Sequence, residues 1–238
     1  MLDSLYVQEE KDLLKKILVY LSQHKDLYYK FVKEHEVQRN HTISTNNEHF
    51  YVIKSGVFVT EVALPNEKKY PHFLLTDYQV LGPHPVNSDH SITHRALVPS
   101  TYYSIDQEFM YAHFYAQPHF FKELLDIIVK KQSILTQKLS LLHIKPVAKV
   151  SYILCLLISM LSLEKDRNSF ELPPYLTQSL VSNFSRVNKY TVTQVYQQLT
   201  EEGLITSKGR KVLINDFKRL KAEVFNDFPL YSPRLMTI

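Results

Sequence analysis

The feature that most constrains the fold is the segment 173–214, in which two short helical patterns precede an alternating, strand-like one. Pro173–Pro174 end any preceding element, and Thr177 is a suitable N-cap for the first helix. The apolar residues that share the buried face of this helix are Leu180, Val181 and Phe184. The segment therefore predicts a small helical unit with its own core.

The second pattern predicts a helix from Lys189 to about Glu202, preceded by a turn at 186–188 and closed by Gly203. The letters LITSKGRKVLI that follow predict a β-hairpin with residues 207–210 at its tip. Two helices joined by a tight turn and followed by a basic hairpin predict a winged helix-turn-helix. In that motif the second helix is shaped for the major groove of DNA.

The outward-facing residues of this unit suit double-stranded DNA. Polar and cationic side chains at the start of the second helix can reach base edges; these are Asn188, Lys189, Tyr190 and Gln194. Hydroxyl, amide and cationic groups around them can contact phosphate; these are Thr177, Gln178, Arg186, Thr191, Thr193, Lys208, Arg210 and Lys211. A winged helix that serves protein–protein contacts is the alternative for the same pattern.

Charge is concentrated in the same part of the chain. Residues 165–221 hold ten Lys or Arg and five Asp or Glu, whereas residues 1–117 hold eleven and fourteen. A basic C-terminal third fits a polyanionic partner, although it also fits an ordinary solubilising surface.

The N-terminal half has a different pattern. Helices are predicted at about 7–22 and 25–34, and short β-branched and aromatic runs from Val37 to Asp106 predict an antiparallel barrel or sandwich. We therefore predict an α+β chain with three parts: helices and an antiparallel β-domain at 1–117, a long helix and hinge at 118–145, and the winged helix-turn-helix at 146–238.

The long helix carries apolar residues at heptad spacing, with one polar residue among them. The predicted seam consists of Phe121, Leu125, Ile128, Gln132, Leu135, Leu139 and Leu142. Such a seam predicts a coiled-coil homodimer, in which a polar position such as Gln132 fixes register. A face buried against the β-domain would give the same pattern.

Several classes are excluded or disfavoured. The four glycines form neither a dinucleotide-binding nor a P-loop pattern, and a single cysteine, Cys155, leaves no thiolates for an iron–sulfur cluster. No catalytic motif is present, so we do not expect an enzyme. The longest apolar run, 150–163, is too short to span a bilayer, which predicts a cytoplasmic protein without a membrane partner.

Other candidate groups favour ordinary structural roles. His72, His84, His90 and His94 match no ligand spacing, and the apolar surroundings of Cys155 predict an inert core thiol. Alternation also predicts that most of one aromatic set is core: Phe50, Tyr51, Phe58, Phe73, Tyr78, Tyr102 and Tyr103. Some of these rings could instead line a pocket.

Over residues 35–217 the order of parts resembles the Crp/Fnr superfamily of bacterial transcription regulators. FYVIKSGVFVTEV resembles the glycine-centred signature of its jelly-roll-like β-roll, YQVLG the strand before the ligand cassette, and TVTQVYQQLTEEGLI its recognition helix and wing entry. The resemblance implies a homodimer, formed through the 118–143 helix, that binds a pseudo-palindromic DNA site. It also implies an effector in the β-roll that acts on a hinge near Lys145–Pro146. RNA polymerase is the implied protein partner, and the implied role is transcriptional activation, which is commoner in the family than repression.

The chain departs from this family where ligands bind. Members that bind cyclic AMP have a Gly-Glu pair after the cassette strand, whereas here Gly82 is followed by Pro83, and the nearby Arg95 falls on the following strand. Cyclic AMP and an iron–sulfur cluster are therefore not expected, and no cofactor is assigned. The alternative is a module in which the β-roll is the functional part, with a small-molecule, haem or thiol effector, and DNA binding is secondary.

Overall fold

The computed structural model describes residues 4–63, 69–82, 91–140, 144–163, 167–209 and 211–226. The chain forms two compact units, one over Ser4–Thr136 and one from Gln137 onward. The three-part division predicted from the sequence stays a prediction.

Two helices open the first unit, α1 (Ser4–Ser22) and α2 (Lys25–Phe31). The three-to-four spacing of apolar residues along α1 produces one buried face. The α1 residues predicted for this face are all buried: Leu13, Leu14, Ile17, Leu18 and Leu21. The helix therefore packs onto the unit rather than projecting from it.

Within the described residues, eight antiparallel strands follow and form two four-stranded sheets. The strands are β1 (Val32–Val37), β2 (Thr42–Ser44), β3 (His49–Ser55), β4 (Phe58–Ala63), β5 (Lys69–Leu75), β6 (Val80–Gly82), β7 (Ser91–Ala96) and β8 (Ser100–Asp106). Their order is β1-β8-β3-β6 in one sheet and β2-β7-β4-β5 in the other. Residues of both sheets share one core that includes Ile53, Phe58, Leu81 and Ala96. The predicted antiparallel β-domain is confirmed.

The end of the second predicted helix and the predicted aromatic core can both be compared with the first unit. The second helix ends at Phe31 rather than at residue 34, because Val32 begins β1 and lies opposite Ile105 of β8. This pairing across the chain overrides the local helical pattern. Most of the predicted aromatic set belongs to the core: Phe50 and Phe58 are buried, and the half-buried Tyr51, Phe73 and Tyr102 pack against the shared core.

Helices α3 (Gln107–Ala116) and α4 (Pro118–Ser140) follow the sheets, and α4 is the predicted long helix. Asp106 caps α3, since the backbone N–H of Phe109 donates to its Oδ1 at 2.9 Å. The inward face of α4 buries Phe120, Leu124, Ile127 and Ile134.

The second unit forms around α5 (Pro146–Met160), which is buried at every position from Val150 to Met160. The other elements are β9 (Phe170–Glu171), α6 (Gln178–Ser185), α7 (Lys189–Glu201), β10 (Ile205–Lys208), β11 (Lys211–Ile214) and α8 (Phe217–Asn226). The three strands form one antiparallel sheet in the order β10-β11-β9. Helices α6, α7 and α8 all contact α5, and Cys155 is fully buried within it, as predicted.

Gly56 is a position where the β-domain needs glycine. Its φ is +116°, and an added Cβ would collide with the side chain of Ser100 and lie 2.9 Å from Ser100 Cα. Gly203 is a matched comparison, because its φ of +71° is also positive but nothing lies within 4 Å of an added Cβ.

We expect Gly56→Ala to lower the free energy of unfolding by at least about 2 kcal/mol, because backbone strain and overpacking act together. Gly203→Ala should cost about 1–2 kcal/mol from the left-handed conformation alone. Urea unfolding of the full chain measures both, and a Gly56→Ala loss no larger than that of Gly203→Ala would contradict the collision with Ser100.

Candidate DNA-binding and dimerisation surfaces

The first helix of the helix-turn-helix, α6, begins at a capped residue, as predicted. The backbone N–H of Leu180 donates to Thr177 Oγ1 at 3.2 Å. The apolar face of α6 buries Leu180, Val181 and Phe184. Thr177 was predicted to contact phosphate, and its hydroxyl oxygen is already an acceptor within the protein.

The turn between α6 and α7 is held by a set of short-range hydrogen bonds. Arg186 has a left-handed backbone, with φ of +53°, and its N–H donates to the carbonyl of Ser182. Ser182 Oγ donates to the carbonyl of Val187 at 2.6 Å. A left-handed residue other than glycine costs about 1–2 kcal/mol, so these bonds offset local strain. They fix the direction in which α7 leaves the turn.

Helix α7 starts at Asn188, whose side chain caps it. The backbone N–H of Thr191 donates to Asn188 Oδ1 at 2.8 Å. A bidentate contact with adenine needs the side-chain oxygen as an acceptor and the side-chain nitrogen as a donor. Since the oxygen is engaged by the cap, the predicted base-reading role of Asn188 competes with a structural one.

One face of α7 is anchored in the core of the unit. The buried residues on this face are Val192, Val195, Tyr196 and Leu199. Burial raises the pKa of the Tyr196 phenol, and its hydroxyl has no hydrogen-bond partner within the described residues. Apolar burial on this side leaves the opposite face of α7 exposed.

The exposed face carries three of the predicted base-reading residues. Lys189, Tyr190 and Gln194 are exposed, and Tyr190 retains 73% of its accessible surface. Gln197 was not predicted, yet it is exposed three residues after Gln194 and seven after Tyr190. Helical periodicity places Tyr190, Gln194 and Gln197 in one stripe along α7. This spacing is the sequence signal from which Gln197 could have been predicted.

Thr193 links the two helices rather than pointing freely outward. Its Oγ1 lies 3.1 Å from Gln178 Oε1 on α6 and 3.0 Å from the carbonyl oxygen of Lys189. Thr193 and Gln178 were both predicted to contact phosphate. The contact holds the Gln178 side chain by its oxygen, so its amide nitrogen is the group left to donate outward.

The hairpin of β10 and β11 forms the predicted wing. Lys208 and Lys211 lie opposite each other in register at its tip, and both are exposed. Lys211 Nζ is 3.7 Å from Glu171 Oε1 on β9, an exposed pair that contributes little to stability. Arg186 is exposed and Thr191 is half-buried at the start of α7, whereas Arg210 lies outside the described residues.

The first unit presents a second candidate surface on α4. Phe121, Leu125 and Ile128 are 51%, 49% and 51% exposed, and Gln132 is exposed beside them. Leu135 is half-buried. Leu139 lies on α4 with no description of its side chain, and Leu142 lies outside the described residues. Within Ser4–Thr136 the predicted seam is therefore not covered by the β-domain.

Two of the four histidines singled out from the sequence, His72 and His94, lie on described strands of the β-domain. His94 is fully buried, and its Nδ1 lies 3.0 Å from Thr60 Oγ1. His84 and His90 lie outside the described residues. Among the described residues, no three His, Cys, Asp or Glu side chains form a group that could hold a metal ion.

The second unit matches a known family of domains. Residues 150–223 match the family model of the Crp-like helix-turn-helix domain. This range runs from α5 through α6, α7 and the wing into α8. The predicted winged helix-turn-helix is thereby confirmed.

Several solved structures have the same architecture over most of the chain. A cyclic nucleotide-binding domain protein from Listeria monocytogenes is 21% identical, with a TM-score of 0.66, and the match covers 87% of this chain and 99% of that one. FixK2 from Bradyrhizobium japonicum is 13% identical, with a TM-score of 0.65 and coverage of 80% and 96%. CLP from Xanthomonas campestris, described as c-di-GMP-responsive, is 13% identical, with a TM-score of 0.64 and coverage of 81% and 98%.

The fold is that of the Crp/Fnr regulators, with a cyclic-nucleotide-binding-like β-roll before a Crp-like helix-turn-helix domain. The resemblance drawn from the sequence is confirmed, and it supports a DNA-binding transcription regulator. No curated protein sequence matches the chain. Within the described part of the chain, no helix has both the length and the hydropathy of a membrane span.

The cap at Asn188 gives a direct prediction. We expect Asn188→Ala to lower the stability of the second unit by about 1 kcal/mol, because the N–H of Thr191 loses its acceptor. Asn188→Ser should keep the stability, since serine is an equally good cap. Thermal unfolding measures both, and equal losses for Ala and Ser would show that the cap contributes nothing.

Proposed function

We propose that the protein is a sequence-specific transcription regulator that binds double-stranded DNA as a homodimer. The observation that carries this proposal is the exposed polar face of α7, which begins at a capped N-terminus and is anchored by apolar residues on its other side. An α-helix of this kind fits the major groove of DNA, where its first turns reach base edges.

Lys189, Tyr190 and Gln194 are the proposed base-reading residues. A lysine can donate to guanine O6 and N7, and a glutamine can form a bidentate contact with adenine. All three side chains are exposed near the start of α7. Asn188 adds a donor from its amide nitrogen, while its oxygen remains with the cap.

The proposed phosphate contacts surround this face. Lys208 at the wing tip and Arg186 in the turn bring cations, and Gln178 brings an amide donor that Thr193 holds in place. Contacts of this type add affinity for any DNA sequence and position the helix. The predicted contacts of Thr177, Thr191, Arg210 and Lys211 belong to the same proposal.

The exposed seam of α4 is the proposed dimer interface. An apolar strip of half-exposed Phe121, Leu125 and Ile128 is costly in water, and a second copy of α4 would cover it at heptad spacing. A homodimer carries two recognition helices related by two-fold symmetry. Its binding site would then be a pseudo-palindrome.

We propose that this regulator works without cyclic AMP. The guanidinium of Arg95 on β7 is bonded to the carboxylate of Glu61, with Nη2 to Oε1 at 2.6 Å and Nε to Oε2 at 3.3 Å. Because Arg95 is already paired with a carboxylate, we do not assign it to the phosphate of cyclic AMP. This pairing supports the departure from the cyclic AMP-binding pattern that the sequence indicates. We further propose that the protein acts in the cytoplasm and activates transcription by contacting RNA polymerase.

The division of α7 and the wing between two kinds of contact can be tested on a selected DNA site. We expect Lys189→Ala to weaken binding to the preferred site by about 1–3 kcal/mol and to leave non-specific binding almost unchanged. Lys208→Ala should weaken binding to every sequence and reduce the salt slope by about one unit. Affinity titrations over a salt series distinguish the two, and equal losses on all sequences for both variants would refute the division.

The seam can be tested by placing a charge in it. We expect Leu125→Glu to weaken the dimer at least about tenfold, because two carboxylates would face each other in an apolar strip. Ser133→Glu is the matched control, since Ser133 is exposed on α4 but lies off the seam. Sedimentation equilibrium gives both dimer constants, and equal values for the two variants would exclude this face as the interface.

A further inference from the structure

One acidic residue interrupts the buried face of α1. Glu10 is 0% exposed and lies among the apolar residues that fix α1 to the first unit. The neighbours that share its face are Tyr6, Val7, Leu13, Leu14 and Ile17. A buried carboxylate is costly unless hydrogen bonds and an opposite charge stabilise it.

The carboxylate of Glu10 joins two other elements. Its Oε2 accepts from Gln79 Nε2 at 2.7 Å, and its Oε1 accepts from the backbone N–H of Val80 at 3.0 Å. Its Oε1 also accepts from Lys131 Nζ on α4 at 2.6 Å. Gln79 in turn accepts from the backbone N–H of Thr76 at 2.8 Å, which closes the turn between β5 and β6.

Lys131 interrupts the buried face of α4 in the same way. It lies between Ile127 and Ile134 on that face, and its side chain is only 15% exposed. Further along the pair of helices, the rings of Tyr20 and Phe120 are 5.7 Å apart. From the ion pair to the ring contact the residue numbers rise along α1 and fall along α4, so the two helices are antiparallel.

The ion pair selects one register of α4. Sliding α4 by one helical turn would move Lys131 by about 5.4 Å and leave each of the two charges without the opposite charge that it now meets. Rotating α4 would have the same effect and would also turn Phe121 and Leu125 away from solvent. A single buried polar pair in an apolar interface is a known means of fixing register.

We propose that the Glu10–Lys131 ion pair is an internal latch that holds α4 in the one position that presents its seam for dimerisation. The side chain of Glu10 thereby connects the β5–β6 turn to α4. This inference rests on the proposed function, because the seam and the DNA site are its readouts. It makes the dimer depend on a residue of α1 that touches neither the seam nor DNA.

Lys131→Met tests the latch from the side of α4. The methionine keeps an apolar stem in the buried face, and Glu10 keeps its bonds to Gln79 and Val80. Lys130→Met is the matched control, because Lys130 pairs with Glu9 next to the latch but both side chains are about half-exposed, at 49% and 44%. The dimer constant, the affinity for the selected duplex and amide hydrogen exchange along α4 are measured on the full chain.

We expect Lys131→Met to weaken the dimer and the specific DNA complex at least about tenfold and to speed exchange in α4, with the β-domain still folded. Lys130→Met should stay within about twofold of the unchanged protein. Equal behaviour of the two variants overturns the latch. Failure of the unchanged protein to dimerise or bind DNA would instead overturn the proposed function.

Glu10→Gln decides the case if Lys131→Met does not fold. Glutamine keeps an oxygen for the N–H of Val80 and removes the charge that Lys131 meets, while its amide nitrogen then faces Gln79 Nε2 and that one hydrogen bond is lost as well. A weaker dimer with a folded β-domain supports the latch, and an unchanged dimer overturns it.

Discussion

The surface proposed to meet DNA depends on the burial of one side of α7 against the apolar helix α5. The side chains of Val192, Val195 and Leu199 are buried on that side. Removing each of them from water contributes about 1.5–3 kcal/mol to stability, and this is the main reason why α7 keeps its position. Helix propensity and exposed polar contacts are small beside this. The polar face is thus determined by what remains after the apolar face is buried.

Polar side chains in the helix-turn-helix divide into two groups. The side-chain oxygens of one group, Thr177, Asn188 and Thr193, form hydrogen bonds within the protein. Those of Thr177 and Asn188 cap helix N-termini, and that of Thr193 forms a contact between α6 and α7. Lys189 and Gln194 are exposed on the opposite face. The first group fixes the geometry with which the second is presented. Residue type alone does not distinguish the groups, because glutamine serves both purposes: Gln178 accepts a hydrogen bond from Thr193, whereas Gln194 is exposed.

Local signals in the sequence predicted most of the second unit. The cap at Thr177, the turn at 186–188 and the glycine after α7 are set by neighbouring residues, so the sequence predicts them well. The end of α2 could not be predicted in this way, because β1 forms against a strand about 70 residues later. The pairing of Glu10 with Lys131 is missed for the same reason, since 121 positions separate them.

The central claim is that this chain reads a DNA sequence with a symmetric pair of recognition helices. Selection of sites from a random duplex pool by the purified protein, without added ligand, tests it most directly, with affinity for the selected site measured over a salt series. The account predicts an inverted repeat with half-sites about 10–10.5 base pairs apart or a multiple of it, bound in the nanomolar range. Enrichment of no sequence, with only weak and salt-sensitive binding, would contradict it.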